Sequence, residues 1–327
     1  MKQHKAIALF SGGLDSILSV KWMQKHGYTV FPVFFRAPYI PSERAIDIAG
    51  KNSIELIVRD ITAAHLEMMK NPKYGFGGHL NPCIDCHALM FRMAGNMLAE
   101  LGADFLISGE VLGQRPMSQR RDALDSVANH SGFPDLLIRP LSQKLLPDTL
   151  PIREGWVDKT ELLAFHGRGR KDQIRLAAEM EIVYPTPAGG CLLTDRNFTL
   201  RLKDLIAHGQ TDEESITLLR FGRHFRLSAK TKLIIGRTEA DNNELEKHSS
   251  SGIRMLIKEV YGPLGIIISE EPERKLLSLA ASILLYYSRK APSPGIVKYG
   301  IDNNLDNEIV VSKCPEDILR KHIISLD

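Results

Sequence analysis

Two groups of residues in this 327-residue chain have types and spacings that could do chemistry. The first is the run Ser11-Gly12-Gly13-Leu14-Asp15-Ser16. Paired glycines leave backbone N–H groups open to an anion, and a helix beginning beside them adds unsatisfied N–H groups and the favourable end of its dipole. Ser11 and Ser16 add hydroxyls, and Asp15 suits a magnesium ion or the bracing of the loop. The run therefore reads as a phosphate cradle. It has no motif lysine, as GxxxxGK(S/T) would require, and it is not GxGxxG. The second group is thiols: Cys83-x-x-Cys86 in NPCIDCH, and Cys191 in GGCLLT. A CxxC pair alone can be redox-active, metal-binding or incidental. Three cysteines in loops around a nucleotide fold are more specific: soft thiolates suit zinc or an iron–sulfur cluster, and nearby positive charge would activate one as a nucleophile. Cys314, in SKCPED, reads as structural or surface. His79, His87 and His130 read as polar or packing residues, and Asp85 as a loop cap.

The elements that must position these groups alternate between strand and helix. AIALF (6–10) is a strand ending at the glycine pair. LDSILSVKWMQKHG follows with a helical period in Leu14, Ile17 and Leu18, and Gly27 stops it. TVFPVFF is a second strand, whose Pro32 points to a sheet edge. SERAIDIAGKN is helical, IELIVRDI strand-like, Cys86–Leu101 helical, and ADFLISG (103–109) and LLIRPL (136–141) are strands. KTELLAFHG and GRGRKDQIRLAAEM read as two helices, YPTPAGG as the loop that positions Cys191, and TLRLKDLIAHG as a later helix. Strands separated by helices imply a parallel, covered sheet. From about Ser215 short strands with glycine turns surround one apolar helix, LLSLAASILLYYS. The expected division is a catalytic α/β domain with a helical extension over 1–214 and a smaller α+β domain over 215–327.

The glycine run resembles the PP-loop of the ATP pyrophosphatases, written SGG.DS in that family. The resemblance implies a HUP-like, adenine nucleotide alpha hydrolase-like sheet that binds ATP and cleaves between its α- and β-phosphates. GADFLISGEVLGQRPMSQ (102–119) is similar to the GE.LGQ..SQ pattern of the tRNA-thiolating 4-thiouridine synthases, through Gly109, Glu110, Gly113, Gln114, Ser118 and Gln119. IRPLSQKLLP resembles their following RPL segment, with Arg139 and Pro140. The likeness implies that Ser11, Gly12, Gly13, Asp15, Ser16, Gly109 and Gln114 serve ATP, with Arg36 a further candidate for an ATP or RNA phosphate. Arg139 stands between a substrate role and domain packing. Cys86 and Cys191 also match the two cysteines of the 2-thiouridine synthases, one carrying persulfide sulfur and the other releasing it. The added Cys83 resembles the RNA thiolases that hold a [4Fe–4S] cluster by three cysteines, which makes Cys83, Cys86 and Cys191 the implied cluster ligands. Catalytic roles are thereby expected for Cys86, Cys191 and Asp15, with ATP, Mg²⁺ and a [4Fe–4S] cluster or a persulfide as cofactors. A persulfide carrier or sulfide would donate the sulfur.

Composition sets limits on the partners. The net charge is only +3, so the whole molecule is no evidence for nucleic acid. Locally, RFGRHFRLSAKTKLIIGRT (220–238) holds six basic and no acidic residues. Arg220, Arg223, Arg226, Lys230, Lys232 and Arg237 are candidates for RNA phosphate, with Phe221 and Phe225 for base stacking. LIIGRTEADNNELE is similar to the GR...N..L segment of the RNA-binding module of the NFACT ribosome-associated proteins, through Gly236, Arg237, Asn242 and Leu245. THUMP, ferredoxin-like and rhodanese-like segments are not seen, so a different RNA anchor is expected. The longest apolar run, Leu276–Tyr287, is 12 residues, short of the roughly 20 that span a bilayer. No signal-peptide layout is seen, and a cytoplasmic chain without a membrane partner is expected. The resulting expectation is an ATP-dependent RNA sulfurtransferase acting on tRNA. The alternatives are a PP-loop enzyme that inserts sulfur or nitrogen into a small molecule, and a non-catalytic RNA-binding factor.

Overall fold

The computed structural model describes residues 4–186, 191–248, 252–258, 260–269, 272–301 and 304–325. It divides into two compact units, Met1–Thr194 and Asp195–Asp327. The first unit runs β1 (Lys5–Leu9), α1 (Leu14–Lys25), β2 (Thr29–Arg36), α2 (Glu43–Lys51), β3 (Ile57–Asp60), α3 (Thr62–Lys70), α4 (Cys83–Asn96), α5 (Leu98–Leu101), β4 (Phe105–Ser108), α6 (Arg121–Ser131), β5 (Leu137–Ile138), α7 (Leu150–Arg153) and α8 (Lys171–Glu179). Its five strands form a parallel sheet in the order β3-β2-β1-β4-β5.

Both faces of that sheet are covered, which is why its strands read as continuous apolar runs rather than alternating ones. Ala6 and Ala8 pack under α1 and α2, with Leu14, Ile17, Leu18 and Ile48. Ile7, Val33 and Leu106 meet Phe91 and Ala94 of α4 and Val127 of α6 on the opposite face. Strand order reverses between β1 and β4. A crevice opens at the carboxyl ends of such a pair, where open α/β sheets bind ligands. The glycine run leaves β1 there, and Gly109–Glu110 leaves β4 there.

Three expectations are corrected. Pro32 lies in an interior strand, opposite Ala8 of β1. It is tolerated because β3 is short and pairs with β2 only from Val33 onward, so Pro32 needs no donor on that flank. The KTELLAFHG segment forms only a short 3₁₀ turn at Lys159–Glu161. The helix through the CxxC pair begins at Cys83 rather than Cys86, which places both thiols in its first turns.

The second unit contains α9 (Arg196–Ala207), α10 (Glu213–Leu218), β6 (Arg223–Arg226), β7 (Lys232–Ile235), α11 (Glu239–Lys247), β8 (Ile253–Ile257), β9 (Gly265–Ile268), α12 (Arg274–Tyr286), β10 (Gly295–Ile301), β11 (Asn307–Val311) and α13 (Glu316–His322). Its six strands are antiparallel, in the order β11-β10-β8-β9-β7-β6. The apolar helix α12 buries Ala280, Ile283, Leu284 and Leu285 against this sheet. The unit begins at Asp195, N-terminal of the expected break at 214/215, so α9 and α10 belong with it. One cause is a fork of charge-assisted bonds from Arg226 of β6 to Asp204 of α9, at 2.5–3.2 Å. Cys314 is buried in this core, as its surroundings in sequence suggested. No helix among the described residues is long and apolar enough to cross a membrane.

Candidate active site

The glycine run forms the turn between β1 and α1, with Gly13 as the extended residue before the helix. Gly12 has φ +71°, the left-handed region that favours glycine. The serines are tied into the loop itself. Ser16 Oγ donates to the Gly13 carbonyl at 2.9 Å, and the Ser11 backbone N–H and hydroxyl both point to Ser16 Oγ at 3.2 Å. Ser16 therefore shapes the cradle from within.

Asp15 is the polar centre of the crevice. Gln114 Nε2 donates to its Oδ2 at 2.6 Å, and Gln173 Nε2 of α8 donates to Gln114 Oε1 at 2.9 Å. The other oxygen, Oδ1, is buried with no hydrogen-bond partner among the described residues. Burial raises the Asp15 pKa, against the bond from Gln114 and the charges of Arg170 and Arg115. An orphaned carboxylate oxygen beside two glycine N–H groups and two arginines fits a magnesium–nucleotide ligand. Gln114 thus reaches this site through Asp15, and Gln173, which carries no motif, braces it from behind.

Gly109 is required for close packing of the backbone. A Cβ placed there would lie 2.5 Å from the backbone of Asp15 and Ser16, so the β4 exit is pressed against the start of α1. The next residue, Glu110, is fully buried. Arg139 Nε donates to Oε2 at 2.9 Å, and His87 Nδ1 lies 3.0 Å from Oε1. Burial alone would raise this carboxyl, yet the Arg139 charge and the His87 contact outweigh it and hold the pKa at about 2. Arg139 also donates to the Leu124 carbonyl at 3.1 Å. Its guanidinium is committed to this internal pair, which favours the packing role over contact with substrate. Arg36 sits at the end of β2 in an exposed ion pair with Asp60, at 2.6 Å.

The thiols occupy the same unit. Cys83 receives Asn81 Nδ2 at 3.4 Å. Asp85, between the two cysteines, accepts the backbone N–H groups of Lys73 and Tyr74 at 2.9 and 3.0 Å, and so caps the preceding loop as expected. Cys86 is half-buried, and its sulfur lies 3.2 Å from His65 Nε2 of α3. The far ring nitrogen, Nδ1, lies 2.5 Å from the hydroxyl of buried Tyr39. Burial raises the Cys86 thiol pKa, and the Cys191 and Cys83 sulfurs raise it further. Cys191 is exposed as a residue, yet the protein packed around its sulfur raises the thiol pKa, as does Cys83, while Arg115 lowers it. The Cys83 sulfur thus raises both other thiols, and Arg115 lowers both Cys191 and Asp15. As a donor set, three soft thiols of this kind fit an iron–sulfur cluster. Among the described residues, however, no three His, Cys, Asp or Glu side chains gather closely enough to hold a metal ion. Residues 187–190, part of the YPTPAGG run expected to position Cys191, lie outside the described residues. Tyr39 and His65 carry no motif, and only the folded chain brings them to Cys86.

In the second unit the six basic candidates do not form one surface. Lys230 is exposed, and Arg237 is exposed but paired with Asp241 at 3.1 Å. Arg223 lies over the Tyr287 ring and Arg220 over Phe221. Arg226 is bound to Asp204 and to Gln210. Lys232 is 2 % exposed and Phe225 is fully buried, so neither presents a phosphate contact or a stacking face; the strands that carry them turn those side chains inward.

The comparisons agree with this division. A family profile described as thiamine biosynthesis protein (ThiI) matches residues 1–143, and one described as NFACT protein RNA binding domain matches residues 222–323. The first unit is a PP-loop domain related to the tRNA sulfurtransferases, and the second is NFACT-like. A probable tRNA sulfurtransferase of Thermococcus kodakarensis is 30 % identical over 146 residues, 42 % of this chain and 37 % of that protein. A tRNA-specific 2-thiouridylase (MnmA 3) of Bacteroides fragilis is 31 % identical over 115 residues, 33 % of this chain and 32 % of that one. The chain thus spans about a third of the length of these curated relatives. A solved 4-thiouridine synthetase–RNA complex with bound ATP is similar at 26 % identity and a TM-score of 0.33, covering 42 % of this chain and 36 % of that one. The matched stretch of the first unit contains the glycine run and Gln114, whereas Cys191 and Gln173 lie beyond it.

Proposed function

We propose that the chain is an ATP-dependent RNA sulfurtransferase acting on tRNA in the cytoplasm. The observation that supports this most is the glycine turn before α1 with Asp15, held on one oxygen by Gln114 and unpartnered on the other, in the same unit as the three thiols, where Arg115 lowers the pKa of both Asp15 and Cys191. A phosphate cradle and a sulfur site then meet in one crevice, and holding both reactants there gives the proximity benefit that a two-step substitution needs.

In the first step a base carbonyl oxygen attacks the α-phosphate of ATP. The bond to the β-phosphate breaks and pyrophosphate leaves. The N–H groups of Gly12 and Gly13 and the start of α1 stabilise charge on the phosphates, helped by Arg115 and Arg170. Asp15 Oδ1 would hold Mg²⁺, while Gln114 fixes the other oxygen. In the second step sulfur adds to the activated carbon and AMP departs with the former carbonyl oxygen. Cys83, Cys86 and Cys191 are the residues that would hold a [4Fe–4S] cluster, although as described they are not gathered closely enough for a metal ion; a bound cluster would supply sulfide to the activated base. The same cysteines serve a persulfide on one thiol that the other releases as a disulfide, to be reset by an external thiol. Exposed Cys191 beside half-buried Cys86 suits that division of labour.

The NFACT-like domain is the proposed RNA anchor, with Lys230 and Arg237 the exposed members of its basic run. Mass spectrometry of tRNA nucleosides from cells with and without the gene tests the whole reading. Loss of one thiolated nucleoside supports it. An unchanged set of thionucleosides overturns it and favours a small-molecule substrate or a binding role.

A further inference from the structure

The sulfur site has a polar backing that the proposed chemistry does not use. His65 is fully buried in α3, and its ring spans two contacts: Nδ1 to the Tyr39 hydroxyl at 2.5 Å and Nε2 to Cys86 Sγ at 3.2 Å. Tyr39 is itself fully buried, and its ring meets His65 edge-on with centroids 5.1 Å apart. A neutral imidazole has one N–H and one bare nitrogen. A buried phenol is a good donor and must place its proton somewhere. With the Tyr39 O–H directed at Nδ1, the ring proton sits on Nε2 and points at the sulfur.

We propose that His65, set in one tautomer by Tyr39, is the positioning residue of the sulfur site, holding Cys86 by an N–H···S hydrogen bond whenever that sulfur carries no proton. Removing a hydrogen-bond donor from a buried sulfur leaves its unprotonated form without compensation, which opposes both nucleophilic attack and ligation. The arrangement parallels the outer partners of metal-site ligands, whose loss costs about 10–100-fold. It applies equally to a free thiolate, a persulfide and a cluster ligand. Asp85 and His87 flank Cys86 in the chain but are occupied by backbone N–H groups and by Glu110 respectively. His65 is therefore the described side chain with a donor within reach of Cys86.

This inference rests on Cys86 being a reactive sulfur, and its test separates the two ideas. Full-length, iron-free protein is treated with iodoacetamide, and alkylation of Cys86 and Cys83 is followed by peptide mass spectrometry. His65→Phe should slow alkylation of Cys86 about tenfold and leave Cys83 unchanged. His65→Gln, which keeps an N–H near the Nε2 position, should recover most of the rate. Tyr39→Phe should show a smaller, partial loss. Thermal melting of each variant reports folding, and Tyr39→Phe carries the test if His65→Phe does not fold. Unchanged or faster Cys86 alkylation in His65→Phe, or no recovery in His65→Gln, overturns the proposal. If the alkylation pattern holds while Cys86→Ser still thiolates RNA fully, the positioning inference stands and the sulfurtransferase role of Cys86 falls.

Discussion

The two units bury charge in opposite ways. In the PP-loop domain the buried carboxylate of Glu110 meets Arg139, His87 and Ser108, so its oxygens are fully engaged and its pKa stays low. The Asp15 carboxylate, by contrast, keeps one buried oxygen with no hydrogen-bond partner among the described residues. In the NFACT-like domain several cations are folded inward with fewer partners. Among the described residues Lys232 Nζ has no hydrogen-bond partner and one ion pair, at 3.8 Å with Asp204, which Arg226 already occupies. Burial pushes Lys232 down to about 7, against the pull of Asp204. His224 is likewise held well below its usual value by burial and by Lys232 and Arg201. The difference teaches that unsatisfied polar atoms mark a ligand site only where the fold opens a crevice beside them. Elsewhere they are a cost of placing a basic sequence on inward-facing strands.

The sharpest way to break this contrast is at the thiols. Cys86→Ser and Cys191→Ser should each lower RNA thiolation by at least about 1000-fold, as loss of a reacting group does, while ATP binding by calorimetry stays near wild type. Loss of ATP binding in both would show that the thiols shape the nucleotide loop instead. Next in size is the Glu110 pair. Arg139→Met should destabilise the chain by about 3–5 kcal/mol in chemical denaturation, because a buried carboxylate loses its partner. Since the Glu110 pKa falls from an ordinary 4.5 to about 2 on folding, its contribution is present above pH 4.5 and is lost as the pH drops through that window. A stability–pH curve should therefore steepen below pH 4.5, and Glu110→Gln should flatten it. Gly109→Ala should cost about 1–3 kcal/mol or more and weaken ATP binding, since the added methyl would strike the Asp15 and Ser16 backbone. The smallest change is expected for Lys232→Met. Stability should be unchanged or slightly higher and RNA affinity unchanged, whereas Lys230→Ala should weaken RNA binding and reduce the salt slope by about one. Equal losses of RNA affinity in the two variants would mean that Lys232 reaches the surface in solution.

The sequence makes the first unit far more legible than the second. Its glycine run, its strand–helix alternation and its CxxC pair are local signals, and the glycine run falls at the strand–helix turn where the alternation implied, whereas the CxxC pair opens a helix instead of lying in a loop. The partners of these groups are not local. Tyr39, His65 and Gln173 lie far along the chain from Cys86 and Asp15, and no spacing rule links them. Arg139 was visible in its RPL segment, but only folding shows that Glu110 claims it. In the second unit the basic run of 220–238 suggested a surface. A charge count cannot say which way a strand residue faces, and β7 is buried along its whole length. The domain break was misplaced for a related reason. An amphipathic helix such as α9 announces an apolar face without naming the sheet that receives it.

The central claim is that one crevice brings the phosphate loop and the thiols together. It is tested most directly by paramagnetic relaxation from Mn²⁺–ATP in iron-free protein labelled with ¹³C at cysteine, with Mg²⁺–ATP as the reference. Strong broadening of the Cys191 and Cys86 signals is the expected result. Signals from both that keep their Mg²⁺–ATP intensity at saturating Mn²⁺–ATP would contradict the claim.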